Sequence, residues 1–166
     1  MNWDLMELTA HSGARPEHAE WQGKIVSRSG QKGYLTLEDI GYGTATGFKG
    51  INCRHDWHPY YKGSTRTYTN KQLNAWKNEK VTYNGQEISM YDATQKQRKF
   101  ERQIRQDKKD LKAQQAILTS NNKNINIEEV QAEIRNIRTM QKQHNAQLND
   151  FLNQTGLRKD NSRLVI

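Results

Sequence analysis

The stretch Val81-Thr-Tyr-Asn-Gly-Gln-Glu-Ile-Ser-Met-Tyr91, running straight into Asp92-Ala-Thr-Gln-Lys-Gln-Arg-Lys-Phe100, decides the fold. Asn84-Gly85 between Val, Thr, Tyr and Ile is the strongest short signal for a β-hairpin, because both residues tolerate the positive φ of a tight turn. From Asp92 the period changes. Phe100, Ile104, Leu111 and Leu118 fit one stripe of a helix over about 93–119, interrupted by Asp107 and Gln114. Strands precede position 92 and helices follow it, which makes the chain α+β.

Downstream, the polar break Ser120-Asn-Asn-Lys-Asn124 separates this helix from a second one. There Val130, Ile134, Ile137, Gln141, His144, Leu148 and Phe151 alternate steps of four and three, the seam of a coiled coil. Thr155-Gly156 supplies a stop. Two helices of about 40 Å each, joined by a short link, predict a long antiparallel helical hairpin. Gln141 and His144 weaken the seam and fix its register, and His144 is given that role rather than a chemical one.

Upstream, residues 3–9 and 21–27 read as short strands, with a turn over 12–16 and Arg15 held extended by Pro16. Four glycines within 41–50 read as a loop that presents the segment after it, since no phosphate-loop pattern is present. Thr69-Asn70 caps a short helix over 71–78. The resulting division is a small strand-and-loop domain over 1–91, and a basic helical hairpin with a tail over 92–166.

Composition narrows the partners. Only 33% of the 166 residues are hydrophobic, mean hydropathy is −1.09 and the net charge is +8. A polyanion is the natural partner of such a chain. No apolar run approaches the ~18 residues of a membrane span, so no membrane partner is expected, and no small-molecule substrate suggests itself. Between Lys96 and Lys112 eight Lys/Arg stand against three Asp/Glu. Arg98, Lys99, Arg102, Arg105, Lys108, Lys109 and Lys112 are the candidate contacts to duplex DNA. About five phosphate contacts give a slope near −4.5 in log K against log salt.

Chemistry concentrates elsewhere. Four of the five histidines and the single cysteine lie in His11-Ser-Gly-Ala-Arg-Pro-Glu-His18 and Asn52-Cys-Arg-His-Asp-Trp-His58. Cys53 and His55-x2-His58, joined by His11 or His18, form a mixed set that tetrahedral zinc accepts. Alternatively, Cys53 is a nucleophile with His18 or His55 as base, oriented by Asp56 or Glu20. A third reading has His and Asp hold a divalent ion for phosphodiester cleavage. The plainest has these side chains tie loops together, with Arg15 and Arg54 on carboxylates.

Ala10-His11-Ser-Gly-Ala-Arg15-Pro16-Glu-His18-Ala-Glu-Trp21-Gln22-Gly23-Lys24, then Gly41-Tyr-Gly43, Gly50-Ile-Asn-Cys53-Arg-His55, Tyr91-Asp-Ala-Thr-Gln95 and Thr155-Gly-Leu157 resemble the phage minor capsid protein 2 family of tailed phages. More distantly, the first half is similar to the C-terminal domain of Mu F-like head morphogenesis proteins. In that likeness His18, Cys53 and His55 occupy cysteine positions, Arg15 replaces another, and Gly50 stands where a histidine would be. His11 then restores a fourth ligand. The resemblance implies a non-enzymatic minor capsid or head morphogenesis protein with zinc on His18, Cys53, His55 and His11. It implies portal or other head proteins and packaged DNA as partners, and a location in the capsid interior or the host cytoplasm. The rival is a toxin-like hydrolase or nuclease built on Cys53, His18 and His55. Family members are generally longer, so the chain reads as a C-terminal portion or a shortened product.

Overall fold

Leu5–Leu8 (β1) lies at the centre of a three-stranded antiparallel sheet, between Ile25–Ser27 (β2) and Trp57–Pro59 (β3). The computed structural model describes residues 3–120 and 124–166. The chain divides into two compact units, one of residues 1–80 with 89–91 and one of 81–88 with 92–166.

In the first unit, Met6, Leu8, Trp21, Val26, Ile40 and Phe48 form the core, with Trp3, Leu35, Leu37, Cys53 and Trp57 packed against it. Both strands expected here are shorter than read, and Trp21–Gly23 form a turn. The segment after Arg15 is a one-turn helix, Pro16–Ala19 (α1), with proline at its favoured first position. This turn and β3 were not evident from periodicity, because four and three residues are too few to show one. Glu7 is 2% exposed on the central strand. It is satisfied by the Thr67 N–H at 2.8 Å, the Thr67 hydroxyl at 3.0 Å and His58 Nε2 at 3.2 Å. The glycine string is a knot of turns where backbone crosses backbone. A Cβ on Gly47 would stand 2.0 Å from the Gly41 carbonyl oxygen, and one on Gly50 2.5 Å from that of Thr44. Asn70–Lys77 (α2) starts where expected, with the Thr69 hydroxyl accepting from the Gln72 N–H.

Lys80–Tyr83 (β4) and Gln86–Ser89 (β5) form the hairpin, and Asn84 and Gly85 take φ of 51° and 76°. Its turn belongs to the second unit. That unit is built on Met90–Leu118 (α3) and Ile127–Thr155 (α4), which pack antiparallel as a long hairpin. Phe100 meets Phe151, Ile104 packs with Leu148, and Asp107 reaches His144. Asp107 therefore interrupts the apolar stripe as expected, by placing a polar layer in it. It is buried on the seam and accepts from His144 Nδ1 at 2.7 Å. Gly156 ends α4 with φ 71°. The break expected at 120–124 falls partly on 121–123, outside the described residues.

The segment after Gly156 is no free tail. It turns back onto the helices through a 3-10 turn, Asn161–Leu164, and buries Leu164 against Ile104 and Leu148. Gln97 donates to the Arg158 carbonyl at 2.9 Å, and Arg163 pairs with buried Glu101 and with Asp160. The other side of the helical pair is covered by the hairpin turn, where Tyr83 packs on Phe151 and under Lys96 while Gln154 accepts from the Asn84 N–H.

A candidate metal centre

Two segments deliver the donors. α1 carries His18, and the turn leaving the glycine knot carries Cys53 and His55. Arg15 fastens the two together by donating to the carbonyls of Thr46 and Ile51 at 3.1 and 3.2 Å, so its partners are backbone carbonyls and not the carboxylates expected. His18 and His55 are 3% and 4% exposed.

Their hydrogen bonds fix the tautomers. His18 Nε2 donates to the Thr46 carbonyl at 2.7 Å, and His55 Nε2 donates to Gln22 Oε1 at 3.0 Å. The His11 backbone N–H, also 3.0 Å from Gln22 Oε1, identifies that atom as an acceptor. Each ring consequently turns a bare Nδ1 lone pair inward. The two Nδ1 atoms stand 3.4 Å apart, with Cys53 Sγ at 4.0 Å from His18 and 3.8 Å from His55. Tetrahedral zinc with ordinary bond lengths needs about 3.3 Å between nitrogens and about 3.6 Å between sulfur and nitrogen. The residues fit a metal to within a few tenths of an ångström. A carbonyl behind each ring is the arrangement that holds metal-ligating histidines in place.

Burial, reinforced by the fields of His11, His18 and Arg54, holds the His55 imidazole at a pKa of about 3, and burial likewise lowers that of His18. Both rings are neutral near pH 7, the state that ligates. His11 stacks on His55 with ring centroids 4.5 Å apart and donates from Nδ1 to the Ser12 carbonyl at 2.9 Å. Its Nε2 is buried without a partner, although it lies outside the tight group of His18, Cys53 and His55. His58 is not part of the centre. It serves Glu7 and Thr67 instead, because its position on β3 points it across the sheet.

The carboxylates named for the hydrolase reading are engaged elsewhere. Asp56 is bound to Lys49 and Glu20 to Lys77, each at 2.7 Å, and the groups behind both imidazoles are neutral carbonyl oxygens. Among the described residues no Asp or Glu joins the group of His18, Cys53 and His55. Two contributors were missed. Gln22 lies inside the recognised string but gave no signal of its role, and Thr46 acts through its main chain, which no side-chain pattern reveals.

The seven basic candidates all lie on α3. Lys99, Arg102, Lys109 and Lys112 are exposed, Arg98, Arg105 and Lys108 are half-buried, and Lys108 is drawn to the Leu164 carbonyl. Glu101 does not neutralise Arg105, since it faces inward to Arg163.

No solved structure matches the chain. A structural protein of Lactococcus phage LL-H is 37% identical over 124 residues, covering 70% of this chain and 30% of that protein. A structural protein of Lactococcus phage mv4 is 38% identical over 88 residues, 53% of this chain and 63% of that protein. The chain thus spans about a third and under two thirds of these relatives. The family model for phage minor capsid protein 2 matches residues 1–153, nearly the whole chain and both halves of the fold, and by that match this chain belongs to the phage minor capsid protein 2 family.

Proposed function

We propose that the chain is a structural component of the phage head, not an enzyme, and that zinc clamps its N-terminal unit. Residues 1–91 would form the clamped domain and 92–166 the basic hairpin that meets partners in the capsid interior. The observation that carries this reading is the convergence of three lone-pair donors, His18 Nδ1, His55 Nδ1 and Cys53 Sγ, in a site with its supporting carbonyls already in place. His11 is the fourth ligand, through its buried, unpartnered Nε2. A closed four-ligand set supplies folding energy and leaves no open position for substrate. The partners are the portal or neighbouring head proteins, and packaged DNA through the cations of α3.

Metal analysis of the purified chain tests the centre. About one equivalent of zinc should survive dialysis and be lost on Cys53→Ser, His18→Ala or His55→Ala. Zinc content unchanged by all three substitutions would reject the site. Turnover of an ester, peptide or DNA substrate that vanishes with Cys53→Ser, in protein that stays folded, would restore the hydrolase.

A further inference from the structure

We infer that duplex nucleic acid binds one face of the helical hairpin, built jointly by α3 and α4, rather than the basic run of α3 alone. This deepens the DNA reading above and rests on it.

Ile104 and Ile137 mark the facing sides of the two helices. Measured from Ile104, Arg98, Arg102, Arg105, Lys109 and Lys112 recur at steps of four and three and sit about 80–160° round the helix. Measured from Ile137 in the same sense, Arg135, Arg138 and Lys142 sit about 100–160° round α4. All three are exposed. Because the helices run in opposite directions, equal rotation from the seam emerges on the same side of the pair. Contacts verify the sides independently. The returning C-terminal segment touches Gln97, Glu101 and Lys108 of α3 and joins the Leu148–Leu152 cluster of α4, all displaced in this positive sense. The β-hairpin turn touches Lys96 of α3 and Phe151 and Gln154 of α4, all displaced in the opposite sense.

Among the described residues of the two helices no Asp or Glu points outward on this face, and the returning segment on the same side adds Arg158, Lys159 and Asp160, the last paired with Arg163 at 2.8 Å. Glu101 and Asp107 are turned into the seam, where Arg163 and His144 meet them. Asp92, Asp110, Glu129, Glu133 and Asp150 fall on the hairpin-turn side by the same geometry, and Glu128 falls on the back of α4. Lys99 goes to the acidic side too. Eight cations therefore share one face of a bundle whose other face holds the acids, a segregation that net charge alone does not require.

The shape favours a duplex. The α3 row is straight and about 21 Å long. The pairing of Ile104 with Leu148 and of Asp107 with His144 sets Arg135, Arg138 and Lys142 level with its C-terminal end, from Lys109 to about one turn past Lys112, so the second row overlaps the first there and lengthens the cationic face to about 27 Å. No aromatic side chain lies among these cations to stack unpaired bases. Of the exposed large apolar side chains described on the two helices, Ile117 and Met140 fall on the opposite side and Ile127, the first residue of α4, falls on this one, too little apolar surface to enter a lipid surface.

Fluorescence anisotropy of the full chain with a short duplex of arbitrary sequence, titrated against salt, tests the face. The wild-type slope should approach −7 as an upper bound of about eight contacts. Arg135→Gln/Arg138→Gln/Lys142→Gln should flatten it by about 2.7 and weaken binding about tenfold or more at moderate salt. Arg102→Gln/Arg105→Gln/Lys109→Gln should do at least as much. Lys24→Gln/Lys32→Gln/Lys62→Gln removes the same charge from the other unit and should change affinity less than about twofold. Circular dichroism verifies that each variant keeps its helix, which glutamine supports. Loss in the α3 variant with none in the α4 variant would overturn the shared face while sparing the DNA reading. Equal loss in all three variants would reduce the effect to net charge. Absence of duplex binding by wild type, or tighter binding to vesicles containing anionic lipid than to the duplex, would overturn both.

Discussion

At the scale of single residues, the histidine centre is organised by groups that never touch a metal. Gln22 Oε1 accepts from both His55 Nε2 and the His11 main chain, each at 3.0 Å, so one amide oxygen sets the tautomer of one ring and the position of another. Gln22→Ala should leave the secondary structure intact and weaken zinc binding about 10–100-fold, read by competition with a chromophoric chelator. The same burial makes the metal-free protein acid-sensitive. His55 ionises near pH 3 when folded and near 6.5 when unfolded, so the unfolded chain binds the extra proton between those values. Stability of the chelator-treated protein should be level above pH 6.5. It should fall below that at up to about 1.4 kcal/mol per pH unit for this ring, with His18 adding in the same direction. Denaturant melts across pH 4–8 give the slope, and stability that rose on acidification would refute the neutral pair.

At the scale of elements, the helical seam mixes apolar and polar layers. Ile104, Leu148 and Phe151 carry burial, while Asp107 and His144 pair in the middle with side chains only 10% and 17% exposed. A buried carboxylate stripped of its partner bears the whole desolvation cost. His144→Leu alone should therefore destabilise by about 1–3 kcal/mol. Asp107→Leu/His144→Leu together should recover most of that, because neither polar group is left buried. Chemical denaturation of both variants measures the coupling. A double variant no better than the single would show that the pair is not energetically linked. If the layer also fixes register, the apolar double variant should give broader transitions despite its regained stability.

At the scale of the whole molecule, the closing segment behaves as a third piece of the helical unit. Leu164 fills the cluster with Ile104 and Leu148, and Arg163 satisfies Glu101, whose side chain is 2% exposed. Truncation after Gly156 should cost several kcal/mol through one lost apolar contact and one orphaned buried carboxylate. Zinc content should be unchanged, since every candidate ligand lies in the other unit. Loss of zinc on truncation would contradict that separation. What the sequence determined by itself was local or periodic. The Asn84-Gly85 turn, the Thr69 cap, the Gly156 stop and the four-three spacing of α4 each act within one or two helical turns, so neighbouring residues suffice to specify them. The string resemblance also groups His18, Cys53 and His55, although His18 and His55 lie 37 residues apart. The remaining features depend on partners remote in the chain. His58 was drawn off by Glu7, Asp56 and Glu20 were taken by lysines, Asp107 was rescued by His144, and Leu164 was folded onto α3. A polar side chain's role follows from which donor or acceptor can satisfy it once water is excluded, and that choice is made only when segments tens of residues apart are packed together.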